Sequence, residues 1–205
     1  MATPLIGQEL AFPEFEYEQR LHAVQKDLSK RNLAAGILFD PENIYWLTGF
    51  QSIGYFTFQC LLVLKDKKPI LLSRQVNGFL AAVTPTFSEF VGIEDHKSPV
   101  QALIDLITLH YGPSDLIGLE TKAWYLTVHD YLALRAACDL ELIEWNGYIE
   151  EFRKIKKPSQ IECMRSAARA AEAGLEAALD AVKVGASEND LASAMLGASI
   201  AAGSE

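Results

Sequence analysis

Four histidines, His22, His96, His110 and His129, are the side chains here best suited to proton transfer or metal ligation near neutral pH, and they are widely separated. Glu94-Asp95-His96 is the place where acids adjoin a histidine. It falls in a loop-like segment, and without a second ligand pair at defined spacing it makes a weak metal site. Serine-based hydrolysis would need a nucleophile on a strained turn, and no Gly-x-Ser-x-Gly occurs. Neither a Gly-x-x-x-x-Gly-Lys phosphate loop nor a Gly-x-Gly-x-x-Gly turn is present. Cys60, Cys138 and Cys163 are far apart with no Cys-x-x-Cys, and read as buried or semi-buried free thiols of a reducing compartment. Trp46, Trp124 and Trp145 read as packing anchors.

The elements that would hold these groups alternate between helix and strand. Tyr17, Leu21, Val24 and Leu28 recur at helical spacing within residues 14–32. Gly36-Ile37-Leu38-Phe39 is a short apolar strand, and Asp40-Pro41-Glu42-Asn43 is a turn signal. Residues 55–64, aromatic and branched, predict a long buried strand. A polar turn at 65–68 and a return strand at 69–73 make a hairpin of it, with a further strand at 87–93. Ser98-Pro99 opens a helix through His110, Leu116-Ile117-Gly118-Leu119 is a buried strand, Thr127 with Asp130 caps a helix through Cys138, and residues 140–145 form the next strand. The expected fold class is α/β: a mixed β-sheet flanked by helices.

Lys plus Arg is 18 and Asp plus Glu is 27, a net charge of −9, which disfavours a nucleic-acid or anionic-membrane binder. No apolar stretch reaches the length of a membrane span. The first dozen residues lack the basic start and apolar core of a signal peptide, so a cytoplasmic location is expected.

Residues 153–157 form the dense basic run and read as a solvated linker. A helix comes next, with Ser159 as cap and Glu162 reaching back to it, and with Ile161, Met164, Ala168, Ala171, Leu175, Ala178 and Val182 along one face. A second helix opens at Ser187-Glu188-Asn189-Asp190. No strand comes after them for these faces to cover, and the pattern breaks off at Glu205, which reads as truncation. The expected organisation is an arm at 1–13, an α/β domain at 14–150, a linker at 151–158 and two helices of an incomplete domain at 159–205.

Several of these pieces stand in a telling order: Arg20-Leu21 in the opening helix, residues 36–44, then Tyr45-Trp46-Leu47-Thr48-Gly49-Phe50, then Ile117-Gly118-Leu119-Glu120, then Arg153-Lys154-Ile155-Lys156 with Ile161-Glu162. The ordered set resembles the creatinase, aminopeptidase P and prolidase family (metallopeptidase family M24), across nearly the whole chain. The resemblance implies an amino-terminal mixed-sheet domain followed by the start of a pita-bread catalytic domain. Full-length relatives often bind two divalent ions, manganese or cobalt, through aspartates, a histidine and glutamates that would lie beyond Glu205; no histidine occurs after residue 150 here. No catalytic residue and no metal ligand is therefore carried over, and no cofactor is expected in this chain.

The resemblance also implies a homodimer in which the amino-terminal domain helps to close the partner's active site and limits which substrates enter. Tyr55, Phe56, Phe58 and Gln59 are the substrate-shaping candidates; ordinary sheet core is the competing reading of Phe56 and Phe58. Creatine-handling members place an arginine in this region, and no arginine lies between Phe50 and Arg74, which counts against creatine. The expected function is the non-catalytic amino-terminal portion of a C–N bond hydrolase acting on Xaa-Pro peptides or small amides. The alternative is a free-standing binding or dimerisation module without enzymatic activity.

Overall fold

The structure, a computed structural model, describes residues 10–84 and 86–204, in two compact units divided after Arg153. Most of the expected arm, residues 1–9, lies outside the described residues.

The first unit runs α1 (Glu14–Lys30), β1 (Ala35–Leu38), α2 (Pro41–Thr48), β2 (Cys60–Leu64), β3 (Ile70–Arg74), α3 (Gly78–Ala81), β4 (Glu89–Ile93), α4 (Pro99–His110), β5 (Leu116–Leu119), α5 (Val128–Ala137), β6 (Glu141–Glu144) and α6 (Tyr148–Lys154). The six strands form one mixed sheet in the order β4-β3-β2-β1-β5-β6. β2 runs antiparallel to both its neighbours, with Ala35 opposite Leu64 and Cys60 opposite Leu72, whereas β1–β5, β5–β6 and β3–β4 are parallel. The carboxyl ends of the other five strands therefore share one edge with the start of β2, and the loops at that edge converge.

Both faces of the sheet are covered. Ile37, Leu62, Leu72 and Ile117 pack with Leu103 and Ile107 of α4 and Leu134 of α5. Leu38, Leu61, Val63 and Leu71 pack with Val24 and Leu28 of α1, Ile44 and Leu47 of α2, and Ile149 of α6. Double burial explains why the central strands read as unbroken apolar runs instead of alternating patterns. Gly36 and Gly118 sit opposite each other on β1 and β5, and Trp145 fills the slot they leave. A Cβ at Gly36 would lie 2.2 Å from the indole ring.

Several expectations are corrected. Residues 40–43 are the start of α2, not a free turn: the Asp40 carboxylate accepts from the Glu42 N–H at 2.9 Å and Pro41 occupies the first turn. Asp-Pro signals a turn and a helix start equally, and here the apolar residues Ile44 and Leu47 carry the chain on as a helix. The strand expected at 55–64 begins only at Cys60. Before it, Ser52 and Gly54 hold turns: Gly54 N–H donates to Ser52 Oγ at 3.0 Å, and Thr57 N–H to Gly54 O at 3.0 Å. α6 occupies the first part of the segment read as linker. Trp124 and Cys163 are exposed, while Trp145 and Cys60 are buried.

The second unit is a pair of helices, α7 (Pro158–Asp180) and α8 (Glu188–Ala201). α7 begins earlier than expected, because Lys157 N–H donates to Gln160 Oε1 at 2.8 Å and Pro158 opens the first turn. The helices meet at Ala170 and Gly174, where a Cβ on Gly174 would lie 2.1 Å from Ser199 Oγ. The stripe of Ile161, Met164, Leu175 and Val182 faces solvent. Ser187 and Asp190 form a reciprocal cap on α8, with N–H to side-chain distances of 2.9 and 3.2 Å.

Candidate functional site

The candidate residues lie at the carboxyl edge of the sheet, on the 51–59 loop joining α2 to β2. The loop is tied down on one side by Ser52, whose hydroxyl donates to Asn77 Oδ1 at 3.1 Å, while Asn77 Nδ2 donates to Ser73 Oγ at 2.8 Å. On the other side the Tyr55 ring meets Tyr125 edge-on with centroids 5.8 Å apart. A polar clamp and an aromatic contact thus hold the loop between the 75–80 segment and the 120–127 loop.

This placement separates the four candidates. Tyr55 is 45% and Phe56 74% exposed, with rings 6.2 Å apart at the surface. Phe58 turns inward against Phe39 at 5.6 Å, edge to face, and joins the core. Gln59 is buried, with no partner for Oε1 among the described residues. Phe56 is therefore not part of the core, whereas Phe58, partly buried on the loop, packs against it. Sequence reading missed Ile53 and Trp124, each 93% exposed, and Phe79 at the end of the neighbouring segment. An apolar side chain stranded in water is not encoded in its own neighbourhood; only the turn geometry puts it there. The loops at this edge thus expose several large apolar side chains, of which Tyr55 and Phe56 are in ring contact.

Where β1 and β5 end, residues from three of the ordered sequence pieces converge. Glu120, at the end of β5, accepts from the N–H groups of Phe39 and Asp40, each at 2.7 Å, and from Asn43 Nδ2 at 2.5 Å. Burial raises its carboxyl above the ordinary range, against the opposing pull of those three bonds. Asn43 Nδ2 also reaches Glu150 Oε1 at 3.3 Å, and Asn43 Oδ1 accepts from Arg153. Arg153 also bonds Glu42 Oε2 at 2.8 Å. Across the described residues no group of three or more His, Cys, Asp and Glu is placed to hold a metal ion. In the Glu94-Asp95-His96 segment, Asp95 instead pairs with Arg74 at 2.8 Å and Glu94 with Lys97 at 2.5 Å.

Residues 20–155 match the Creatinase/Prolidase N-terminal domain family. The chain belongs to that family. As a creatinase/prolidase amino-terminal domain it is similar to an ectoine hydrolase of Halomonas elongata, 26% identical over 175 residues, which are 80% of this chain and 44% of that protein. Among solved structures, a prolidase from Thermococcus sibiricus superposes with a TM-score of 0.71 at 19% identity, over 87% of this chain and 48% of that one. The N-terminal domain of an Xaa-Pro dipeptidase from Lactobacillus brevis gives a TM-score of 0.57 at 21% identity, over 64% of this chain and 98% of that one. At these identities the two structures speak for the fold. The chain spans about half the length of the curated relatives it matches, 44% and 50% of the first two. No helix among the described residues is long and apolar enough to cross a membrane.

Proposed function

We propose that this chain is the non-catalytic amino-terminal portion of an Xaa-Pro peptidase or creatinase-like hydrolase, serving dimerisation and the closing of a partner subunit's active site. The observation that carries this reading is the exposure of Ile53, Tyr55, Phe56 and Trp124 on a creatinase/prolidase amino-terminal domain. A rigid sheet edge bearing large apolar side chains can wall off a substrate pocket, exclude water and select by size. Tyr55 and Phe56 would meet the substrate or the facing subunit directly; Phe58 and Gln59 would support the loop from below. The catalytic half, with any pair of manganese or cobalt ions, would lie in a further segment of the protein.

The test has two arms. The isolated 205-residue chain, assayed with Xaa-Pro dipeptides and manganese, should hydrolyse nothing; metal-dependent turnover would refute the reading. In a longer protein carrying this segment, Phe56→Ala should raise KM or widen substrate choice while leaving the fold intact. A kinetic profile unchanged by Phe56→Ala and Trp124→Ala together would remove the closing role.

A further inference from the structure

Arg153 belongs to the basic run that reads as a solvated linker, yet its guanidinium turns into the α/β unit. It donates to Asn43 Oδ1 and, at 2.8 Å, to Glu42 Oε2. Asn43 in turn gives its amino group to Glu120 at 2.5 Å. A carboxamide has one accepting end and one donating end, so at this position it is directional. Its oxygen needs a donor and its nitrogen needs an acceptor. Arg153, a donor with no accepting atom, supplies the first, and the buried Glu120 supplies the second. Arg153 and Asn43, 110 positions apart, are thereby joined with Glu120 into one polar network.

The rest of α6 docks by other means. Ile149 is buried in the core, Phe152 stacks on Trp46 with centroids 6.3 Å apart, and Arg31 lies 3.5 Å above the Tyr148 ring. The last turn of the helix, by contrast, is held from its end by Arg153. Between the end of α6 at Lys154 and the start of α7 at Pro158 only residues 155–157 are outside helix.

We propose that Arg153 is a latch: coupled through Asn43 to the buried Glu120, it keeps the last turn of α6 on the α/β unit, so that the non-helical connection to α7 is limited to residues 155–157. With the latch open, the last turn frays and the connection lengthens back into α6. The latch does not depend on the proposed hydrolase role, since it is a property of the first unit alone.

A mutant cycle on the full 205-residue chain tests it, read by amide hydrogen exchange of residues 151–154. Arg153→Met should speed that exchange by roughly tenfold or more, with the strand amides unchanged. In a Glu120→Gln background the same substitution should speed it by a clearly smaller factor, because the coupling through Asn43 is weakened and only the direct bond to Glu42 remains at full strength. Ile149→Ala, which acts through apolar docking, should speed exchange by the same factor in both backgrounds. Equal effects of Arg153→Met with and without Glu120, or no effect at all, would overturn the latch. If Arg153→Met unfolds the unit, Arg153→Lys takes its place in the cycle, keeping the charge but losing the two-pronged contact.

Discussion

Glu120 shows how a single buried carboxylate sets a pH response. Burial raises its pKa in the folded unit and outweighs the bonds from Asp40, Phe39 and Asn43. A raised folded value means the native state binds the proton more tightly than the unfolded chain does. Its contribution to stability is thus complete below the ordinary carboxylate range and is lost as pH rises through the raised value. The denaturation midpoint followed by tryptophan fluorescence should therefore decline over that interval, and Glu120→Gln should flatten the decline; an unchanged slope would assign the proton elsewhere. Arg20 is a buried cation held by its neighbours. It is buried with Glu16, and its guanidinium lies 4.6, 4.9 and 5.2 Å from the Phe12, Tyr17 and Trp46 rings. Arg20→Ala would remove the buried ion pair with Glu16 and three aromatic contacts, and should lower the urea midpoint. Gly36→Ala, forcing a methyl into the Trp145 ring, should cost about 1–3 kcal/mol. None of these three roles was legible in the sequence beyond the residue types, because each depends on partners brought in from distant segments.

At the scale of elements, legibility went with locality. The caps at Ser98, Thr127 and Ser187 are encoded within three residues, and the structure has all three, with Thr127 Oγ1 accepting from Asp130 N–H at 3.1 Å. Thr127→Ala should accordingly cost about 1 kcal/mol and speed exchange at the start of α5 ahead of the strands. The beginning of β2 was not legible. Residues 55–59 have strand-like composition, but the clamp from Ser52 to Asn77 and Ser73 turns the chain until Cys60 finds its partner Leu72. The candidate site shared that fate. Tyr55 and Phe56 were visible as aromatic residues in the right stretch, whereas the exposure of Trp124 depends on how the 120–127 loop leaves β5. Helix α2 was hidden for a different reason, since Asp-Pro opens turns and helices alike.

For the whole molecule, the two units carry unequal reporters. Trp46, Trp124 and Trp145 all lie before residue 154, so fluorescence tracks the first unit while far-ultraviolet dichroism also tracks α7 and α8. The helix pair keeps Leu175, Leu179, Val182 and Leu196 in water and has little core of its own. On heating, the dichroism should fall before the fluorescence, and brief proteolysis should first remove material beyond residue 154. Coincident transitions would mean that the two units melt as one. The lateral borders of the sheet carry a last consequence. β4 and β6, the outermost strands, expose Glu89 at one border and Glu141 and Glu144 at the other. A strand from a second chain laid along either border would have to desolvate those carboxylates beside its own backbone. Fibre growth by strand addition is thereby discouraged at both open ends of the sheet.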